Sequence, residues 1–79
     1  MSAENTLKEV LNKVLDVKPD EIEFEESLER SLGVDSTEMV EITVGLKKAL
    51  GIQLADNEIK KSHSFNQIVG ILKSKGVGV

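Results

Sequence analysis

The stretch LGVDSTEMVEITVGLKKALG, residues 32–51, encodes a helix together with both of its ends. Asp35 stands ahead of the run and Glu38 follows three residues later, a carboxylate form of the capping box. Gly51 occupies the place of a C-cap glycine, and Lys47 and Lys48 sit where the negative end of the helix dipole favours cations. The spacing therefore predicts a helix from Ser36 to about Leu50. Its apolar residues Met39, Val40, Ile42, Val44, Leu46, Ala49 and Leu50 cover more than one narrow stripe. A small core cannot take them all, so some are available to a partner. Gly45 in the interior costs roughly 1 kcal/mol relative to alanine, and close approach of another helix is a reason for it.

Upstream, Leu7, Val10, Leu11, Val14 and Leu15 recur at three- and four-residue spacing and predict an amphipathic helix over about residues 4–16, started by Thr6 with Glu9 or by Ser2. Pro19 confines Lys18 to extended geometry, and a long connection begins there. Between Val17 and Val34 no helical period is sustained. Ile22, Phe24, Leu28 and Leu32 are the expected anchors of this polar loop, and ordered loops of such length are often functional.

Downstream, Ile52 and Leu54 return the chain to the core, and residues 56–61 read as a short helix capped by Asp56. Ser64 with Gln67 forms another capping box, opening a last helix in which Phe65, Ile68, Val69 and Leu72 keep core spacing to about Lys75. Residues 76–79 read as a frayed tail, with order expected over about 3–75. The predicted fold is all-α, a small four-helix bundle of three longer helices and one short helix, with a long first loop and a single domain over residues 1–79.

At 79 residues the chain has little interior to spare for a deep active site, and stability must come from packing, since cysteine is absent. One histidine, His63, and no cysteine leave no zinc site of the usual donors, and no metal site is expected. Without tryptophan or tyrosine, and with a net charge of −4, the chain lacks both the stacking platforms and the charge that nucleic acid requires. No apolar run is long enough to span a bilayer, and the N-terminus has no signal-like pattern, so a soluble, cytoplasmic protein without a membrane partner is expected.

Charge is distributed unevenly. Residues 19–41 carry nine acids against Arg30 alone, whereas residues 42–79 carry six lysines against Asp56 and Glu58. A basic partner surface would be steered toward the acidic segment, although a merely solvated face has the same composition. A hydrolytic triad of Ser36, His63 and an acid lacks the Gly-x-Ser-x-Gly elbow. An EF-hand lacks its alternating ligands and central glycine. No catalytic residue is assigned, and an enzyme is not expected.

The remaining concentrated signal is Leu32-Gly33-Val34-Asp35-Ser36 at a helix start, followed by Glu38, Met39, Val40 and Glu41. In this it resembles the acyl carrier protein family, whose attachment motif is a leucine and glycine followed by Asp-Ser opening the second helix. The likeness covers nearly the whole chain, through the Val17-Lys18-Pro19 passage, the acidic loop, Ile52-Gln53-Leu54 and the last helix beginning Ser64-Phe65. It implies that Ser36 receives 4′-phosphopantetheine from coenzyme A through a phosphopantetheinyl transferase, making a phosphoprotein. It also implies that Asp35 serves recognition by that transferase and helps hold its magnesium ion.

A further implication is a carrier of acyl thioesters for fatty-acid, lipid or polyketide-type synthesis, acting as a monomer. Thr37, Glu38, Met39, Val40 and Glu41 would meet acyl-transferring, condensing or modifying enzymes through their basic docking patches. Leu46, Leu54, Ile59, Ile68 and Leu72 would line an acyl pocket that opens only when loaded. Thr37 departs from the leucine common after the serine, and Lys47 and Lys48 replace the usual acids, which shortens the acidic footprint and suits a specialised member. A peptidyl or aminoacyl carrier protein, and a non-carrier helical interaction module with an unmodified Ser36, are the alternatives.

Overall fold

A computed structural model describes residues 2–55 and 57–77. The first helix, α1, spans Ala3–Leu15; α2 spans Leu28–Ser31, α3 Ser36–Leu50 and α4 Phe65–Ser74, with a 3₁₀ turn at Pro19–Glu21. There are no strands among the described residues, so the all-α bundle of three longer helices and one short one is the observed architecture. No described helix is long and apolar enough to cross a membrane.

Ser2 is the cap of α1: the Asn5 N–H donates to its Oγ at 3.1 Å. Thr6 is buried instead, and its hydroxyl donates to the Ser2 carbonyl at 2.9 Å. The helix buries Ala3, Leu7, Val10 and Leu11, while Val14 and Leu15 pack only partly against the core. Gly45 of α3 meets this face. A Cβ on it would lie 3.1 Å from Val10 Cγ1, so the missing side chain is what lets α1 and α3 approach.

The long connection is held by distant backbone. The Leu28 N–H donates to the His63 carbonyl and the Glu29 N–H to the Lys61 carbonyl, both at 3.0 Å. These bonds satisfy donors at the start of α2, which Ser27 also caps through the Arg30 N–H. Leu28 is fully buried and Ile22 nearly so, as anchors should be. Phe24 does not sink: it remains 41% exposed, its ring edge-on to Phe65 with centroids 5.0 Å apart. Its carbonyl is the fixed part, accepting from the Asn66 N–H at 3.0 Å.

The short helix is thus in the first connection and not at residues 56–61. Asp56, its expected cap, lies outside the described residues. Residues 57–59 form a turn closed by the Glu58 N–H on the Ala55 carbonyl, while the Ala55 N–H donates to Glu58 Oε1 at 2.9 Å. One apolar residue here, Ile59, is buried, so packing rewards a turn with one anchor more than a helix without a stripe.

α4 opens on the Ser64–Gln67 capping box and buries Phe65, Ile68, Val69 and Leu72. Residues 76 and 77 follow it in a defined geometry. Gly76 is left-handed at φ 87°, its N–H donates to the Lys73 carbonyl, and the Val77 N–H donates to the Leu72 carbonyl. This is a Schellman closure with Val77 packed on the core. Gly78 and Val79 lie outside the described residues.

Candidate functional site

Ser36 is the first residue of α3 and is exposed. Its position follows from the four residues before it. The Leu32 N–H donates to the Leu28 carbonyl at 2.9 Å and closes α2, and Val34 is buried. Between them Gly33 adopts φ 68°, a left-handed turn that turns the chain back between the two apolar anchors. No atom lies within 4 Å of a Cβ built there, so the glycine is required by backbone conformation and not by space.

Asp35 then caps α3. Its Oδ1 accepts from the Glu38 N–H at 2.8 Å, and the Asp35 N–H donates to Glu38 Oε1 at 3.0 Å. The serine hydroxyl is left at the positive end of a fifteen-residue helix, where a phosphate ester is favoured. Among the described residues no group of three or more histidines and acids is placed to hold a metal ion. His63 makes no hydrogen bond to Ser36 among the described residues; its Nδ1 accepts the Lys60 N–H at 2.9 Å and closes the turn before α4.

From Ser36 an open groove of about 720 Å³ runs between α3 and the segment 57–62. Met39, Val40, Thr43, Val44 and Ile59 form its apolar side, and Lys47, Lys60 and Lys61 stand on its rim. Val40 and Val44 are the exposed large hydrophobics of α3, at 62% and 40%. The turn that brings Asn57 and Ile59 to the groove is braced from the residue that caps the end of α4, since Lys75 Nζ lies 2.6 Å from Glu58 Oε2 and the Ala55 N–H bonds the same carboxylate. Those two contacts, the backbone bond first, hold the Glu58 carboxyl below its ordinary range.

The residues singled out in the sequence divide in a definite way. Thr37, Val40 and Glu41 are exposed on α3 beside Ser36, Met39 is buried and contributes to the groove wall, and Glu38 is half-buried in its cap. Of the five expected pocket residues, Ile59 alone lines the groove; Leu46, Leu54, Ile68 and Leu72 are closed within the core. Thr43, Val44 and Lys47 were not singled out for the groove, although Val40, Val44 and Lys47 follow Ser36 at helical intervals that place them along one side. Lys60 and Lys61 carried no such signal, because tertiary hydrogen bonds place their segment.

An exposed hydroxyl on a helix N-terminus, opening onto a groove with an apolar side, fits a phosphodiester-linked arm. The comparisons with known proteins agree. Residues 5–72 match the family model described as a phosphopantetheine attachment site. An acyl carrier protein of Wolinella succinogenes is 28% identical over 74 residues, covering 94% of this chain and 97% of the relative. One from Petrotoga mobilis is 29% identical over 69 residues, covering 87% and 81%, and one from Bdellovibrio bacteriovorus is 25% identical over 76 residues, covering 96% and 97%.

The chain belongs to the phosphopantetheine-attachment family of carrier proteins, among the acyl carrier proteins. It is a carrier and not an enzyme, and its cofactor is covalently attached 4′-phosphopantetheine.

Proposed function

We propose that Ser36 bears the arm and that the protein passes acyl groups between enzymes of fatty-acid, lipid or polyketide-type synthesis. The observation that carries this reading is the exposed Ser36 hydroxyl at the capped start of α3, at one end of the groove. When bound, the arm supplies a thiol that holds acyl groups as thioesters. The chain has no cysteine of its own to compete with it.

The protein's own residues do the rest. Asp35 fixes the helix start, and its exposed carboxylate is available to the transferase and its magnesium ion. Attachment joins Ser36 Oγ to phosphorus of coenzyme A, releases the nucleotide half, and leaves the hydroxyl proton to a base on the transferase. Glu41, Val40 and Thr37 offer a charged and apolar face to basic docking patches of acyl-transferring, condensing or modifying enzymes. Met39 and Glu38 hold that face in place from the groove wall and the cap. A long apolar chain would enter only by parting the layer formed by Leu46, Leu54, Ile59, Ile68 and Leu72, each buried CH₂ returning roughly 0.8 kcal/mol. The cytoplasm, where coenzyme A is supplied, is the compartment this reading assigns.

Mass spectrometry after incubation with coenzyme A and a broad-specificity phosphopantetheinyl transferase tests the assignment. One arm per chain is expected, on Ser36, with none on Ser36→Ala and an unchanged helical spectrum. An arm on the variant would move the site elsewhere. An unmodified wild-type chain would make the protein a helical interaction module.

A further inference from the structure

We propose that the exposed side of α3 is a self-complementary contact, through which two copies of this chain associate weakly and antiparallel about Val44. Thr37, Val40, Glu41, Val44 and Lys48 are all exposed. With about 3.6 residues per turn they fall within about 100° of the helix circumference and form one stripe along α3. The stripe is apolar where Val40 and Val44 stand, the exposed large hydrophobics of this helix. Charges of opposite sign flank Val44, with Glu41 before it and Lys48 after it.

The order of these residues selects both the occupant and its direction. Glu41 lies three residues ahead of Val44 and Lys48 four residues beyond it, so a two-fold axis at Val44 sets each Glu41 against Lys48 of the second copy, with Lys47 beside it. Val44 then meets its own counterpart on the axis, and Val40 meets the aliphatic stem of Lys48. A parallel pairing would oppose like charges, and the helix dipoles also favour the antiparallel one. Glu41, Lys47 and Lys48 enter no ion pair among the described residues, whose pairs are Glu26 with Arg30, Glu29 with Lys61 and Glu58 with Lys75. A net charge of −4 opposes the approach of two copies at long range, so only a contact with local complementarity of this kind can form.

Size sets the strength of the pair. One stripe of a single helix covers well under the about 800 Å² per partner of a stable interface, which leaves an equilibrium with the monomer that shifts only at high protein concentration. The contact itself is independent of the attachment site. Its consequence rests on the proposed function: Thr37, Val40 and Glu41, the face offered to partner enzymes, are covered in the pair, so an enzyme must compete with the second copy for them.

Sedimentation equilibrium and an NMR dilution series on the wild-type protein, from about 20 µM to about 2 mM, test the contact. Association that is lost on dilution is expected, with the largest amide shifts along residues 37–48. Glu41→Lys and Lys48→Glu, each reversing one charge of the stripe, should each weaken it several-fold at unchanged helicity. Mixed together, these two variants should associate again, because one then presents only cations and the other anions at the two positions. The double variant Glu41→Lys/Lys48→Glu should recover most of the wild-type affinity. A wild-type chain that stays monomeric throughout would overturn the proposal and leave this face to partner enzymes alone. Single variants as tight as wild type, a mixture no tighter than either variant alone, or shifts centred on another surface such as that around Phe24 would overturn it equally. The measurements do not involve the arm, so a failure of Ser36 as the attachment residue is read separately, in the mass spectrum.

Discussion

Asp35 and Glu38 hold one another across the first turn of α3, each carboxylate accepting the other residue's backbone N–H, at 2.8 and 3.0 Å. Ser36 lies inside this reciprocal clasp, so the geometry of its hydroxyl depends on the same two acids that the proposed function gives to recognition and docking. Cap and recognition can be separated by choice of substitution. Asp35→Ala is expected to lose about 1 kcal/mol in urea unfolding, while Asp35→Asn keeps the cap acceptor and nearly all of the stability. If the carboxylate also serves the transferase, Asp35→Asn will be modified more slowly than wild type in a mass-spectrometric time course. Equal rates would confine Asp35 to the cap.

Glu41 is the acid with which to test docking, because reversing Glu38 would also break the clasp. Glu41 is exposed, beside Val40, and reversing its charge removes steering without touching the core. Glu41→Lys should slow association with the phosphopantetheinyl transferase several-fold in stopped-flow measurements at low salt, with the difference fading as salt rises. Indifference at low ionic strength would leave Glu41 a solvated residue.

Gly45 and Gly70 are both interior helical glycines in different surroundings. An added Cβ at Gly70 meets nothing within 4 Å, whereas one at Gly45 meets Val10 Cγ1 at 3.1 Å. Gly70→Ala should therefore raise stability by about 0.5–1 kcal/mol through helix propensity. Gly45→Leu should lower it by about 1–3 kcal/mol through overpacking of α1 against α3. Chemical denaturation of the two variants checks both, and a tolerated leucine would show that the approach of α1 and α3 can relax.

Glu58 links the groove edge to acid stability. Its carboxyl is held below the ordinary value of 4.5 by the Ala55 N–H and by Lys75. A group depressed in the folded state contributes stability that is present above its unfolded value and is lost as the pH falls through its folded one. Melting temperature should accordingly decline below about pH 4.5 less steeply in Glu58→Gln than in wild type. Parallel acid limbs would mean that the bond to Lys75 does not persist in solution.

What could be read from the amino-acid order was the part of the structure that neighbours enforce. The caps at Ser2, Asp35, Gly51 and Ser64 each answer a backbone group three or four residues away, so donor and acceptor lie within one short stretch. The apolar intervals of α1, α3 and α4 are legible for the same reason, and with them the place of Ser36 at a helix start. The order did not disclose α2, whose first donors find carbonyls at Lys61 and His63, more than thirty residues on. Nor did it disclose that Phe24 would be fixed by its carbonyl, with its ring left at the surface, or that Gly76 and Val77 would close α4. The groove belongs to this second kind: α3 alone places Ser36, Val40, Val44 and Lys47 along one side, but Ile59, Lys60 and Lys61 reach it only because hydrogen bonds from the first connection draw their segment against the bundle. Local satisfaction of backbone groups is written in the chain, whereas a surface made by two distant segments exists only once loop closure has brought them together.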